Sequence, residues 1–222
     1  MRTDFQDEYR SLFARLGFPL SKRHGMSGAQ LDRAEIRLAS RLPKALRDYY
    51  LVAGREKILN HSFNGLCSPS EWEVHSGKLI FMEENQTVVV WGIPISKRPA
   101  QDPTVFQCPL VQGELDKWYS EQTRCSDFLK FMVHLQAAYS GGMPFTASAP
   151  MAEDPSVIFN SSWLFGGEVN GMRAYSMQDR VVCVTKWQEF GSDKKSWRVF
   201  GGAKTKDGIT VVGTEFGISW GS

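Results

Sequence analysis

Four polar residues, Glu83, Glu84, Asn85 and Gln86, stand between two uninterrupted apolar runs at 79–82 and 88–91. Adjacent carboxylates are the raw material of general acid–base catalysis, which needs two such groups converging on one substrate. Neighbours along an extended strand point to opposite faces, so Glu83 and Glu84 converge only if a turn redirects them. Carboxylate and amide side chains also satisfy backbone groups where the chain reverses. The spacing therefore predicts a turn, with Glu83 and Glu84 on the rim of a surface that meets a partner.

The other chemistry-bearing residues do not assemble into a constellation. Cys67, Cys108, Cys125 and Cys183 lie far apart with no C-x-x-C pair, the pattern of buried reduced thiols rather than of a zinc site or a disulfide framework. His24, His61, His75 and His134 lack the H-E-x-x-H spacing that would bring two ring nitrogens to one helix face. The glycines at 141–142, 166–167 and 201–202 do not open helices, so no phosphate-cradling loop is expected. No catalytic residue, cofactor site or metal site is assigned. Among the seven tryptophans, Trp91 sits in an apolar strand and reads as core. Trp72 and Trp118, next to acidic residues on short or loop-like segments, are candidate exposed anchors for a partner, because aromatic anchors dominate interface energetics.

The elements that must position these residues follow from periodicity. Phe5, Tyr9, Leu12, Phe13 and Leu16 recur at helical spacing before Gly17 and Pro19. Ser27 and Gln30 form a capping-box pair ahead of Leu31, Ala34, Leu38 and Leu42, predicting a second helix along that stripe. "LPKALRDYYLVAG" predicts a third helix ending at Gly54, and "SPSEWEV" one or two helical turns behind an N-cap at Ser68. The runs at 79–82 and 88–91 read as covered strands, with a short one at 104–107. Ser126 is placed to cap a long helix over Phe128, Met132, Leu135 and Tyr139, closed by Gly141 and Gly142. "RVVCVTKW", "SWRVFGGA" and "GITVVGTEF" all read as strands.

Helices first and strands afterwards predict an α+β fold: N-terminal helices on a mainly antiparallel central sheet, a mixed one being the alternative, with a C-terminal β-rich extension at about 145–222. One domain spanning 1–222 with its core at about 26–140 is preferred over a boundary near 141–150. Composition agrees, at 222 residues with 42% hydrophobic and 23% charged. The 26 basic and 24 acidic residues nearly cancel, arguing against a nucleic-acid partner. The absence of an apolar run of about 18 residues and the charged start "MRTDFQDEYR" give the expectation of a cytoplasmic protein.

The order of "LDRAEIRLASRLPKALRDYYLVAG", "SPSEW", "LIFMEENQTVVVWGI" and "QDPTVF" resembles the SUKH superfamily of Smi/Knr-type proteins, over about 26–107 and on through the helix at 125–139. That resemblance implies a shared α+β core and a bacterial immunity protein. Its partner would be a cognate contact-delivered toxin, often a nuclease, blocked by steric occlusion without catalysis, membrane contact or a small-molecule substrate. The fungal branch implies a regulatory interaction module instead. An enzyme with a site assembled from scattered Cys, His and Glu is the third reading.

Overall fold

A computed structural model describes residues 4–139, 142–159, 162–188 and 195–220. The chain begins with α1 (Phe5–Arg15), whose first turn is capped by Asp4 accepting from the Gln6 amide at 3.1 Å. Phe5, Tyr9, Leu12 and Phe13 face inward. Then α2 (Gly28–Arg37) starts from the expected capping box, Ser27 and Gln30 each accepting the other's backbone N–H. It stops short of Leu42: Ala39 takes a left-handed φ of 47°, and Leu42 reaches the core from extended chain, its amide donating to the buried Glu35 at 3.0 Å.

Next come α3 (Lys44–Ala53) and the single turn α4 (Ile58–His61). The first sheet follows, from β1 (Gly65–Leu66), β2 (Val74–His75), β3 (Lys78–Glu83), β4 (Val89–Pro94), β5 (Thr104–Val111), β6 (Glu114–Leu115) and β7 (Tyr119–Arg124). Its path is β1-β3-β4-β5-β6, with β2 added to β3 and β7 to β5. After α5 (Cys125–Ala138) comes the second sheet: β8 (Phe145–Met151), β9 (Leu164–Val169), β10 (Met172–Met177), β11 (Arg180–Gln188) and β12 (Lys195–Ala203), ordered β8-β12-β11-β10-β9. All named pairings are antiparallel. The fold is α+β, as expected, with α6 (Lys206–Glu215) closing the described chain.

Helix α5 is buried on nearly every side because it serves both sheets. Phe128 meets Phe81 and Trp91 of the first sheet at 5.9 and 5.7 Å between ring centres. His134 meets Ser176 of β10 at 3.0 Å. Ser126 does not precede this helix: Arg124 is its N-cap, and the Ser126 amide and hydroxyl both donate to Asp102. The expected closing residue Gly141 lies outside the described residues.

Two expectations are corrected. The segment "SPSEWEV" is a turn, in which the Ser68 amide donates to Glu71 Oε2 at 2.7 Å and no helix follows. The segment "GITVVGTEF" is helical. Thr205 caps it by accepting from the Gly208 amide at 3.0 Å, and Ile209, Val212 and Phe216 fall on one buried face against the second sheet. Tertiary burial at spacings of three and four outweighs the strand preference of its β-branched residues.

Candidate functional site

Trp72 is not an exposed anchor. It is only 1% exposed, its ring edge-on to Tyr50 at 4.9 Å and its Nε1 donating to the Tyr50 hydroxyl at 3.3 Å. That hydroxyl in turn donates to the Cys67 carbonyl at 2.5 Å. The turn at 68–71 aims the indole inward, and a buried indole requires an acceptor, which Tyr50 supplies.

Glu83 and Glu84 lie together at one end of the first sheet. Glu83 is exposed at the last position of β3, paired with Gly65 and Val90. Glu84 closes the hairpin: its Oε2 accepts from the Gln86 amide at 2.7 Å, its carbonyl accepts from the Thr87 amide, and its amide donates to Val89. Thr87 holds a φ of 57°. Beside this turn Val88 and Val111 are 48% and 53% exposed, and the Leu110 amide donates to the Val88 carbonyl at 2.8 Å. Val88 is thus an exposed apolar residue beside these carboxylates, while Val111, one residue beyond the partner of Val88, turns to the opposite face of the sheet.

The Trp118 ring belongs elsewhere. It lies across Gly92, where a Cβ would approach the indole to 2.7 Å, with Lys78 5.5 Å above it and His75 6.3 Å away. Lys78 opens β3 and Glu83 ends it, a separation of roughly 17 Å along an extended strand. Trp118 is half-buried, and its Nε1 has no hydrogen-bond partner among the described residues.

The nucleophile and ligand candidates stay apart. All four thiols are buried. Burial raises the pKa of each of them, Cys67 to about 12, which disfavours the thiolate form. Among the described residues no three His, Cys, Asp or Glu are grouped to hold a metal ion. His24 accepts from the Ser21 amide at 2.9 Å and serves as a local cap. His134 lies under Gly166, with Nδ1 2.7 Å from the Lys130 carbonyl, which makes Nδ1 the protonated nitrogen and Nε2 the acceptor from Ser176. Burial first, then the positive charge of Arg15 and Lys130, hold its pKa down to about 4.

One concavity has no signal in the sequence: a groove of about 770 Å³ between α1, α5 and β9. Asp7, Glu8, Asp127 and Glu168 line it with Arg15 and Lys130, and Phe165 stands 61% exposed at its edge. Lys130 bridges Glu8 at 3.2 Å and Asp127 at 2.9 Å. Burial alone would lower the Lys130 pKa, but those two carboxylates raise it, so the lysine stays charged. The groove draws on three separate segments, α1 lying more than a hundred residues before α5 and β9, which no local pattern announces.

The chain matches no family model, no curated protein and no solved structure. No helix among the described residues is long and apolar enough to cross a membrane.

Proposed function

We propose that this chain is a bacterial immunity protein of the SUKH kind, which binds a cognate toxin in the cytoplasm and neutralises it by covering its working surface. The observation that carries this reading is the junction of Trp72, Tyr50 and the Cys67 carbonyl. It ties the "SPSEW" turn to the helix of "LPKALRDYYLVAG", and the hairpin of "LIFMEENQTVVVWGI" packs on the same core through Phe81 and Trp91. The segments that carry the family resemblance are therefore neighbours in space as well as in order.

The surface we assign to the toxin is the end of the first sheet. Val88 supplies an exposed apolar contact and Glu83 and Glu84 a polar rim beside it, the division of labour that stable interfaces use. Occlusion buries about 1,200–2,000 Å² in total and consumes one protein per toxin. The test is a titration of the activity of the toxin encoded in the adjacent reading frame against purified protein. A linear fall to zero at one equivalent is expected. Loss of all activity at far less than one equivalent, or no complex at micromolar concentration, overturns the reading.

A further inference from the structure

The sequence contains two Asn-Gly steps, Asn64-Gly65 and Asn170-Gly171. The Cγ of an asparagine is open to attack by the backbone nitrogen of the residue that follows, and a glycine there has no Cβ to hinder the approach. Such steps are among the thermolabile points of a chain. The fold gives the two opposite surroundings. Asn64 is 2% exposed, its amide donates to Gln136 Oε1 at 3.0 Å, and its carbonyl accepts from Gln136 Nε2. Its Nδ2 reaches Met132 Sδ at 3.7 Å, and Gly65 is paired with Glu83 in the first sheet. Buried and bonded at both backbone groups, this step is held still.

Asn170 and Gly171 are exposed at the tip of the β9–β10 hairpin, with φ of 50° and 76°. Open space lies where a Gly171 Cβ would stand. Val169 and Met172 are partners and carry the hydrogen bonds that close a two-residue turn of this kind. The Gly171 amide itself meets no backbone acceptor among the described residues. β9 is the edge of its sheet, and edge hairpins open locally more readily than a core does. Across the contact between β9 and β7, the Asn170 side chain lies close enough to the buried Glu121 to favour its ionised form.

We infer that Asn170 is a site of spontaneous deamidation, and that its product sets a new carboxyl against Glu121 at the contact of the two sheets. The inference stands apart from toxin binding. In the opened turn the Gly171 nitrogen loses its proton to solvent and bonds to Asn170 Cγ. The bond from Cγ to the side-chain nitrogen breaks and ammonia leaves, closing a cyclic imide. Water then adds at either imide carbonyl, giving an aspartyl or an isoaspartyl linkage, with water the sole co-reactant and no change of oxidation state. Either product exchanges an amide donor for a carboxylate, which repels Glu121 where the amide supported it. The isoaspartyl product also adds a backbone carbon and so breaks the turn geometry that the hairpin needs.

Peptide mapping by mass spectrometry, with isoaspartate detected by enzymatic methylation, tests this on the intact protein held at mildly alkaline pH. Conversion is expected at Asn170 at least about tenfold faster than at Asn64, the turn opening more readily than the core. In urea-unfolded protein the two steps should react alike. Gly171→Asn, which tolerates the left-handed backbone while obstructing the attack, should slow conversion at Asn170. Asn170→Asp, the direct mimic of one product, should lower the melting temperature near neutral pH by about 2–4 °C. Glu121→Gln in that background should remove most of the drop. No conversion at Asn170, or equal rates at both steps in the folded protein, overturns the assignment of the site. A melting temperature indifferent to Asn170→Asp overturns its consequence for the contact with Glu121, and both measurements stand even if Glu121→Gln fails to fold.

Discussion

The indole Nε1 of Trp91 donates to Glu121 Oε1 at 2.7 Å, joining β4 to β7 inside the core. The other oxygen of Glu121 has no hydrogen-bond partner among the described residues, although Asn170 is near enough to lower the carboxyl's pKa. Burial outweighs both groups and raises that pKa. Trp91→Ala should cost about 3–5 kcal/mol through the cavity it leaves. Trp91→Phe isolates the polar part: it leaves a buried carboxylate short of a donor, at about 1–3 kcal/mol near neutral pH. A carboxyl with a raised folded pKa binds its proton more tightly folded than unfolded, so its stability contribution is full in acid and is lost as pH rises. Without the indole the pKa rises further. The Trp91→Phe penalty should therefore be larger at pH 7 than at pH 4 in urea unfolding, and Glu121→Gln in that background should remove the difference.

His134 carries the opposite sign. Its folded pKa of about 4 lies below the ordinary 6.5, so the unfolded chain binds more protons between those values and stability is lost as pH falls through that window. A group buried this completely contributes on the order of 3 kcal/mol across the window. His134→Gln should flatten the acid limb of the stability profile between about pH 6.5 and 4, whatever it costs at pH 7. An unchanged limb would place the acid sensitivity elsewhere.

The same contact explains a glycine. A Cβ on Gly166 would lie 2.5 Å from the His134 ring, which α5 packing holds in place. Gly166→Ala should cost about 1–3 kcal/mol by overpacking. Because the clash is with one side chain, His134→Ala should recover part of that loss in the double variant. Simple additivity in a thermal-melt cycle would show that the backbone, not the ring, resists.

Helix α6 marks where the sequence was hardest to read. Ile209, Val212 and Phe216 keep helical spacing, but the β-branched run 209–212 hides it, and only packing against the second sheet decides. The capping box at Ser27 and the apolar runs around Glu83 to Gln86 were legible because their causes are local. The β9–β10 hairpin carries a local signal in Asn170 and Gly171, both at positive φ. The burial of Trp72 is set by Tyr50, about which its acidic neighbours say nothing, and the groove at Lys130 depends on Glu8, 122 residues away. Thr205→Ala tests the α6 assignment. It removes the acceptor for the Gly208 amide and should cost about 1 kcal/mol, where a strand residue at the surface would cost little.

Glu83 and Glu84 are neighbours with separable tasks. Glu84→Ala deletes the acceptor for the Gln86 amide and should cost about 0.5–1.5 kcal/mol. Glu83→Ala, which removes only an exposed side chain at the strand end, should stay within about 0.5 kcal/mol. Under the proposed function their charges act alike on the encounter. Reversal at either position should slow association with the toxin, and the slowing should shrink as salt screens the field. Glu83→Lys is the cleaner probe because the fold does not use its carboxylate. If it leaves the association rate unchanged at low salt while the complex still forms, the toxin sits on another face, and Glu84 remains turn chemistry alone.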